Sequence, residues 1–182
     1  KLFISHARYE TLRRDLIKTS GDALSFSKQA IFALHRDDAS AADLRLKDAR
    51  AALSSLEKFF KKEPDLRGEG SYRAAIEEYI EAALYARVLS GKPLGALGEI
   101  DADTDSYLGG VCDLMGEMAR KVILSATARD FAAVKKLSRA AEGIMAELVR
   151  FDLTGYLRNK YDQAKQAMRR IEEVAYDVSK RE

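Results

Sequence analysis

Apolar side chains recur every three to four residues along most of this chain, which is the period of an amphipathic α-helix. The pattern is cleanest near the C-terminus, where apolar positions step alternately by four and three residues. These positions are Leu157, Tyr161, Ala164, Met168, Ile171, Ala175 and Val178. Such a seam is typical of a helix in a bundle or a coiled coil. No segment shows the alternation and β-branched clusters of a strand, so we predict an all-α fold.

Breaks in the apolar period divide the chain into six predicted helices. They cover about residues 7–37, 38–62, 70–90, 105–126, 128–151 and 154–180. Asp38 or Ser40 is the expected N-cap of the second helix, and Pro64 marks the turn that follows it. A chain of 182 residues is long enough for one core. We therefore predict a single domain, residues 1–182, formed by a bundle of six or seven mostly long antiparallel helices.

Composition excludes some classes of protein without choosing a function. The chain has 31 basic and 29 acidic residues, so its net charge of +2 does not by itself indicate a nucleic-acid partner. Its one cysteine, Cys112, excludes a disulfide framework and is expected to be buried. No apolar run is long enough to span a membrane, and no signal-peptide pattern is present, although the chain does not begin with Met. A reducing cytoplasm is the expected location.

Two acidic pairs stand on otherwise apolar helical segments. Glu78 and Glu81 lie in "AAIEEYIEAAL", and Asp113 and Glu117 lie in "YLGGVCDLMGEMAR". Residues three or four apart share a helix face, so each pair projects together. The second string also holds three glycines. Each costs about 1 kcal/mol in a helix, which indicates either close helix packing or room for a bound group.

Four carboxylates that converge from two helices repel one another unless a cation binds between them. Oxygen ligands without Cys or His favour Mg²⁺ or Mn²⁺. The chemistry that follows is metal-assisted phosphodiester hydrolysis, in which a spare carboxylate activates the attacking water. A di-iron bundle needs Glu-x-x-His motifs, and His6 and His35 form none. Spacing alone favours a simpler alternative, in which the acids are solvated or paired with Lys or Arg.

Four longer strings together resemble the translin family. They are "LIKTSGDALSFSKQAIFALHRDD", "EEYIEAALYARVLSG", "YLGGVCDLMGEMAR" and "NKYDQAKQAMRRIEEVAYDVSKR", and they span nearly the whole chain. The second and third are most similar to the translin-associated factor X branch, the nuclease subunit of a complex that helps to activate RNA silencing. The last is more translin-like. The E-Y-I-E and D-L-M-G-E strings match the family's catalytic motif.

The resemblance implies a Mg²⁺- or Mn²⁺-dependent endoribonuclease whose catalytic and metal-binding acids are Glu78, Glu81, Asp113 and Glu117. It also implies a hollow octamer with RNA inside. Because factor X-like acids are combined here with a translin-like tail, we expect a homo-octamer, and a second translin-family subunit remains an alternative. The seam of the last helix serves either the contact between subunits or the core of one subunit.

RNA phosphates require basic side chains, which are expected on one stripe of the first helix and beyond the second acidic pair. The candidates are Arg14, Lys18, Lys28, His35, Arg36, Arg120 and Lys121. The alternative for each is a solvated surface charge; His35 could instead be packed and hydrogen-bonded, and Arg120 could neutralise an acid of the second pair. No RNA-reading module is visible. We therefore expect weak sequence specificity and a preference for single-stranded RNA, while a duplex can still bind through its backbone.

Two other interpretations remain open at this stage. The first is a non-catalytic translin-like protein that binds RNA or DNA, in which the acids are vestigial. The second is a purely structural helical oligomer. Metal-dependent cleavage separates the enzyme from the binding protein, and salt-sensitive RNA affinity separates both from the structural oligomer.

Overall fold

The computed structural model of the chain describes residues 2–98 and 100–180. Within them lie six long α-helices, one single-turn helix and one short 3₁₀ helix, and no strand, so the predicted all-α bundle is confirmed. The α-helices are α1 Leu2–His35, α2 Ala39–Ser55, α3 Glu57–Phe60, α4 Gly70–Leu89, α5 Thr104–Thr127, α6 Phe131–Leu148 and α7 Gly155–Ser179. The 3₁₀ helix, Pro64–Gly68, lies between α3 and α4.

Two predicted boundaries differ from the structure for physical reasons. Helix α1 begins at Leu2, before the predicted start near residue 7. Its first turns are exposed, so no amphipathic period marks them in the sequence. It ends before Asp37, whose φ of 60° is left-handed. The helix predicted over residues 38–62 is interrupted after Ser55, and the fully buried Leu56 joins its two parts. A break that keeps the same face buried leaves no trace in the apolar period.

The helices form two groups of three that meet at a central contact. Helices α1, α2 and α4 pack together, and α5 packs with α6 and α7. The contact between α4 and α5 joins the two groups. Cys112 is buried at 2% exposure, as expected. No described helix has the length and apolar character that a membrane crossing requires.

The seam of α7 belongs to the core of this chain. Leu157, Ala164, Met168, Ile171 and Val178 are buried, while Tyr161 and Ala175 are half-buried. Their partners are α5 and α6, since α7 contacts both helices. Of the two roles left open by the sequence, core packing is therefore the one that the structure shows. Burial of this face also fixes which α7 side chains point toward α5.

Candidate functional site

Two glycines bring α4 and α5 into close contact. A Cβ atom added at Gly110 would lie 2.7 Å from Ile80 Cγ2 and 2.9 Å from the backbone oxygen of Glu77. A Cβ atom at Gly109 would lie 3.0 Å from the Glu77 carboxyl carbon. Close helix packing thus leaves no room for a side chain at Gly110 and little room at Gly109. Gly116 differs, since an added Cβ would meet nothing within 4 Å.

The close approach of α4 and α5 places Glu78, Glu81, Asp113 and Glu117 near one another, and we call these four residues the acid cluster. Glu78 and Glu81 come from α4, and Asp113 and Glu117 come from α5. Glu81 is buried at 7% exposure, while the other three are half-buried. The two pairs predicted from helical spacing therefore share one region of the folded chain.

The charges of neighbouring acids in the cluster act on Glu81 and Glu78. Burial, and then the charges of Glu78, Asp113 and Glu117, raise the pKa of Glu81 to about 9. The pKa of Glu78 is also raised, first by burial and then by Asp113 and Glu117, against an opposing effect of Lys28. Glu81 accepts no hydrogen bond and forms no ion pair within the described part of the chain. Its side chain is therefore mostly buried, and its carboxyl oxygens have no protein partner among the described residues.

Helix α7 adds a cation to this region. Lys160 Nζ contacts the Asp113 carboxylate and lies 3.1 Å from Glu77 Oε2. The Tyr156 hydroxyl donates a hydrogen bond of 2.7 Å to the same Glu77 oxygen, and Lys160 Nζ lies 5.3 Å from the Tyr156 ring centroid. Burial would lower the pKa of Lys160, but the hydrogen bond to Asp113 and those to Tyr156 and Glu77 raise it. Lys160 is thus an ammonium ion that holds two carboxylates.

A buried histidine holds another member of the acid cluster. His35 is 7% exposed, and its Nε2 contacts the Glu117 carboxylate. Its Nδ1 lies 3.1 Å from the Tyr85 hydroxyl, which is itself fully buried. The packed, hydrogen-bonded histidine is therefore what the structure shows, and a contact of His35 with RNA remains a prediction.

Other predicted RNA-binding residues occupy several settings. Arg14, Lys18, Lys28, Arg36 and Arg120 are exposed. Lys28 lies nearest the acid cluster, with Nζ 4.0 Å from Glu78 Oε2. Arg120 forms no ion pair within residues 2–98 and 100–180, so it does not neutralise an acid there. Lys121 is buried, and it donates hydrogen bonds to the Asp37 carboxylate at 2.7 Å and to the His35 carbonyl at 3.4 Å.

The acid cluster fits a hard divalent cation in its donor chemistry. Carboxylate oxygens are the ligands that Mg²⁺ and Mn²⁺ prefer, and the buried Glu81 lacks any other partner. Across the described residues, however, no three Asp, Glu, His or Cys side chains are gathered tightly enough to hold a metal ion. Two of the four carboxylates have other partners, since Asp113 contacts Lys160 and Glu117 contacts His35.

Sequence reasoning missed Glu77, Tyr156 and Lys160. All three line an open cavity of about 710 Å³, together with Glu78 and Asp113. Glu77 precedes the predicted pair directly, so a run of two glutamates was the only local signal. Lys160 lies 47 residues from Asp113, and nothing in the local pattern of α7 indicates that contact.

Comparison with known proteins agrees with this architecture. The sequence profile described as the translin family matches residues 11–182. Translin from Gallus gallus is 35% identical over 78 residues, which are 42% of this chain and 34% of translin. The aligned part thus spans about a third of the length of that relative.

Three solved structures share the fold over nearly their whole length. The apo-NeC3PO crystal structure has a TM-score of 0.86 at 23% identity, covering 97% of this chain and 95% of that one. The AfC3PO–duplex RNA complex has a TM-score of 0.90 at 20% identity, covering 98% and 94%. The AfC3PO crystal structure has a TM-score of 0.85 at 23% identity, covering 98% and 96%. At such identities the likeness shows the fold alone.

Proposed function

This chain belongs to the translin family, and from that premise we propose that it binds RNA and cleaves its phosphodiester bonds with Mg²⁺ or Mn²⁺. The fold it shares with AfC3PO, which was solved with duplex RNA, supports the RNA-binding part. The acid cluster supports the hydrolytic part. A specific correspondence to the factor X branch is part of the same proposal.

The observation that carries the proposal is the unpartnered carboxyl of Glu81. It is buried at 7% exposure beside three further carboxyl groups, which raise its pKa in addition to burial. Such an arrangement destabilises the metal-free fold, because ionised carboxylates repel one another and lose their hydration when they are buried. A divalent cation removes both costs. Perturbed pKa values of this kind concentrate at functional sites.

The residues of the acid cluster have distinct parts in the proposed reaction. Glu78, Glu81 and Asp113 would hold the cation, which would supply Lewis-acid activation of the phosphate when bound. A water oxygen would attack phosphorus, and a carboxylate not engaged on the cation would accept the proton of that water. Glu117 is well suited to this step, because its contact with His35 fixes its orientation. The bond from phosphorus to the leaving oxygen would then break, and that oxygen would take its proton from the carboxylic acid so formed or from solvent water.

Exposed basic side chains would position the RNA backbone. Lys28 is the closest to the acid cluster, and Arg14 and Lys18 extend the same face of α1 toward its start. Arg36 and Arg120 would contact phosphates farther along. We further propose a preference for single strands, a cytoplasmic location and assembly as a homo-octamer, to which a second translin-family subunit is the alternative.

Cleavage of a labelled single-stranded RNA tests the proposal. The wild-type protein should cut in Mg²⁺ or Mn²⁺ and stop when EDTA is added. Asp113→Asn should lower the rate about 100-fold or more, since it removes a ligand charge, while RNA affinity and oligomer size stay the same. Asp162→Asn is the matched control, because Asp162 lies on α7 and pairs with Lys165 outside the acid cluster. An Asp113→Asn protein that cuts at the wild-type rate contradicts the assignment.

RNA binding without cleavage is the second candidate. The observation that favours it is that Lys160 and His35 already engage two of the four acids, so a cation is not needed to satisfy them. It predicts salt-sensitive RNA affinity and no metal-dependent products. The same cleavage assay, run beside filter binding, separates the two candidates.

A further inference from the structure

Lys160 provides a positive charge at one carboxylate of the acid cluster, that of Asp113. Its side chain is 16% exposed, and its ammonium contacts the carboxylate of Asp113, which is 26% exposed. At this depth the pair is only weakly screened by solvent. Any divalent cation that takes Asp113 as a ligand must therefore compete with an ammonium ion already bound there.

Glu77 offers the same ammonium a second carboxylate. Glu77 Oε2 lies 3.1 Å from Lys160 Nζ, and the Glu77 side chain is 8% exposed. The Tyr156 hydroxyl fixes this oxygen by a 2.7 Å hydrogen bond, and Gly109 leaves the room that the Glu77 carboxyl group occupies. Lys160 thus keeps a charged partner and an aromatic face when Asp113 leaves it.

We propose that Lys160 is a positioning residue of the site, an exchangeable counter-ion that holds Asp113 until a divalent cation displaces it onto Glu77. The inference rests on the proposed metal-dependent function. In the exchange the ammonium keeps its proton and no covalent bond changes. The charge on Asp113 is balanced by Lys160 before the exchange and by the cation afterwards, so the site stays compensated throughout.

A purely structural role for Lys160 predicts something different. As an ion-paired link between α5 and α7 it would affect stability, and its removal would leave metal affinity unchanged or weaker through loss of order. As a competitor it opposes the cation, so its removal should strengthen metal binding. The sign of the change in metal affinity distinguishes the two roles.

Mn²⁺ binding to the RNA-free protein, followed by the electron paramagnetic resonance signal of free Mn²⁺, measures this sign. Lys160→Met and Lys160→Gln should bind Mn²⁺ at least about tenfold more tightly than wild type, because one positive charge within a few ångströms is removed. Lys160→Arg should not show this gain. Lys165→Met is the matched control, since Lys165 also lies on α7, pairs with an aspartate and lies over a tyrosine ring.

Glu77→Gln is expected to change Mn²⁺ affinity in the opposite direction to Lys160→Met. Without the second carboxylate the ammonium stays on Asp113, so Mn²⁺ affinity should fall. In the Lys160→Met background the same substitution should have little effect, because the displaced ammonium no longer exists. An equal loss in both backgrounds would show that Glu77 acts only through its own charge, and would overturn the exchange. Circular dichroism confirms that each variant is folded.

The outcomes separate this inference from the proposed function. If wild type binds Mn²⁺ and cleaves RNA while Lys160→Met and Lys160→Gln bind Mn²⁺ no more tightly, the exchange is wrong and the nuclease stands. If wild type binds Mn²⁺ weakly but Lys160→Met binds it well, the exchange is supported even when no RNA is cut. If no variant binds Mn²⁺, the exchange and the metal-dependent nuclease are both overturned.

Discussion

Glu81→Gln should stabilise the metal-free protein at neutral and alkaline pH. The unfolded chain releases this proton near the ordinary value of 4.5, whereas the folded chain holds it up to the raised pKa of about 9. Between these values the folded state binds more protons than the unfolded state, so wild-type stability falls as the pH rises. Glutamine reproduces the neutral carboxyl in shape and charge and does not titrate, so it removes this loss.

The size of the effect follows from the same pKa. Each pH unit above 4.5 costs the wild-type protein up to about 1.4 kcal/mol relative to the variant. The upper bound at pH 7 is therefore about 3.5 kcal/mol, and solvent that enters the site reduces it, so we expect about 1–3 kcal/mol. With Mn²⁺ present the advantage should shrink or reverse, because the wild-type carboxylate then gains a partner that glutamine cannot replace.

Urea denaturation in EDTA, at fixed protein concentration and at several pH values between 5 and 8.5, measures this difference. The gap between Glu81→Gln and wild type should widen steadily as the pH rises. Glu142→Gln is the control, because Glu142 is an exposed glutamate on α6 and should follow the wild-type profile. Parallel profiles for wild type and Glu81→Gln would refute the reasoning, since they would mean that Glu81 ionises in the folded chain as it does in water.

Three further substitutions test the packing around the site, each by urea denaturation in EDTA. Gly110→Ala should destabilise by about 1–3 kcal/mol, since its Cβ would lie 2.7 Å from a side-chain carbon, whereas Gly143→Ala, with nothing within 4 Å, should stabilise by up to about 1 kcal/mol. Equal effects at both glycines would rule out the close contact of α4 and α5. Ile171→Ala, at a fully buried position of the α7 seam, should cost about 2–5 kcal/mol, against about 0.5 kcal/mol or less for the exposed Tyr176→Ala. A small loss at Ile171 would argue that α7 packs elsewhere. His35→Phe keeps the buried ring but loses both hydrogen-bond partners, so it should cost about 1–3 kcal/mol, and an unchanged midpoint would speak against those contacts.

Helical periodicity predicted the helices because most of them bury one continuous face. It located α4, α5, α6 and α7 to within a few residues of their observed bounds. It missed the interruption after Ser55, where the buried face continues through the break. It also missed the first turns of α1, which are exposed and so carry no amphipathic signal.

The candidate site was visible in part. Spacing along each helix paired Glu78 with Glu81 and Asp113 with Glu117, because residues three or four apart share a face whatever the rest of the fold does. That the two pairs meet was a hypothesis until the contact between α4 and α5 was known. Two of the three glycines near the second pair are explained by that contact, in which an added side chain would collide with Glu77 or Ile80.

The amino-acid sequence alone determined that this chain is a helical bundle and which acids share each helix face, since both follow from a local period of 3.6 residues. Only the tertiary structure decided what those acids touch. Lys160 reaches Asp113 across 47 residues of sequence, and His35 reaches Glu117 across 82. Whether a charge is solvated, paired or left without a partner depends on which helices pack around it, and helical periodicity along one segment carries no record of that.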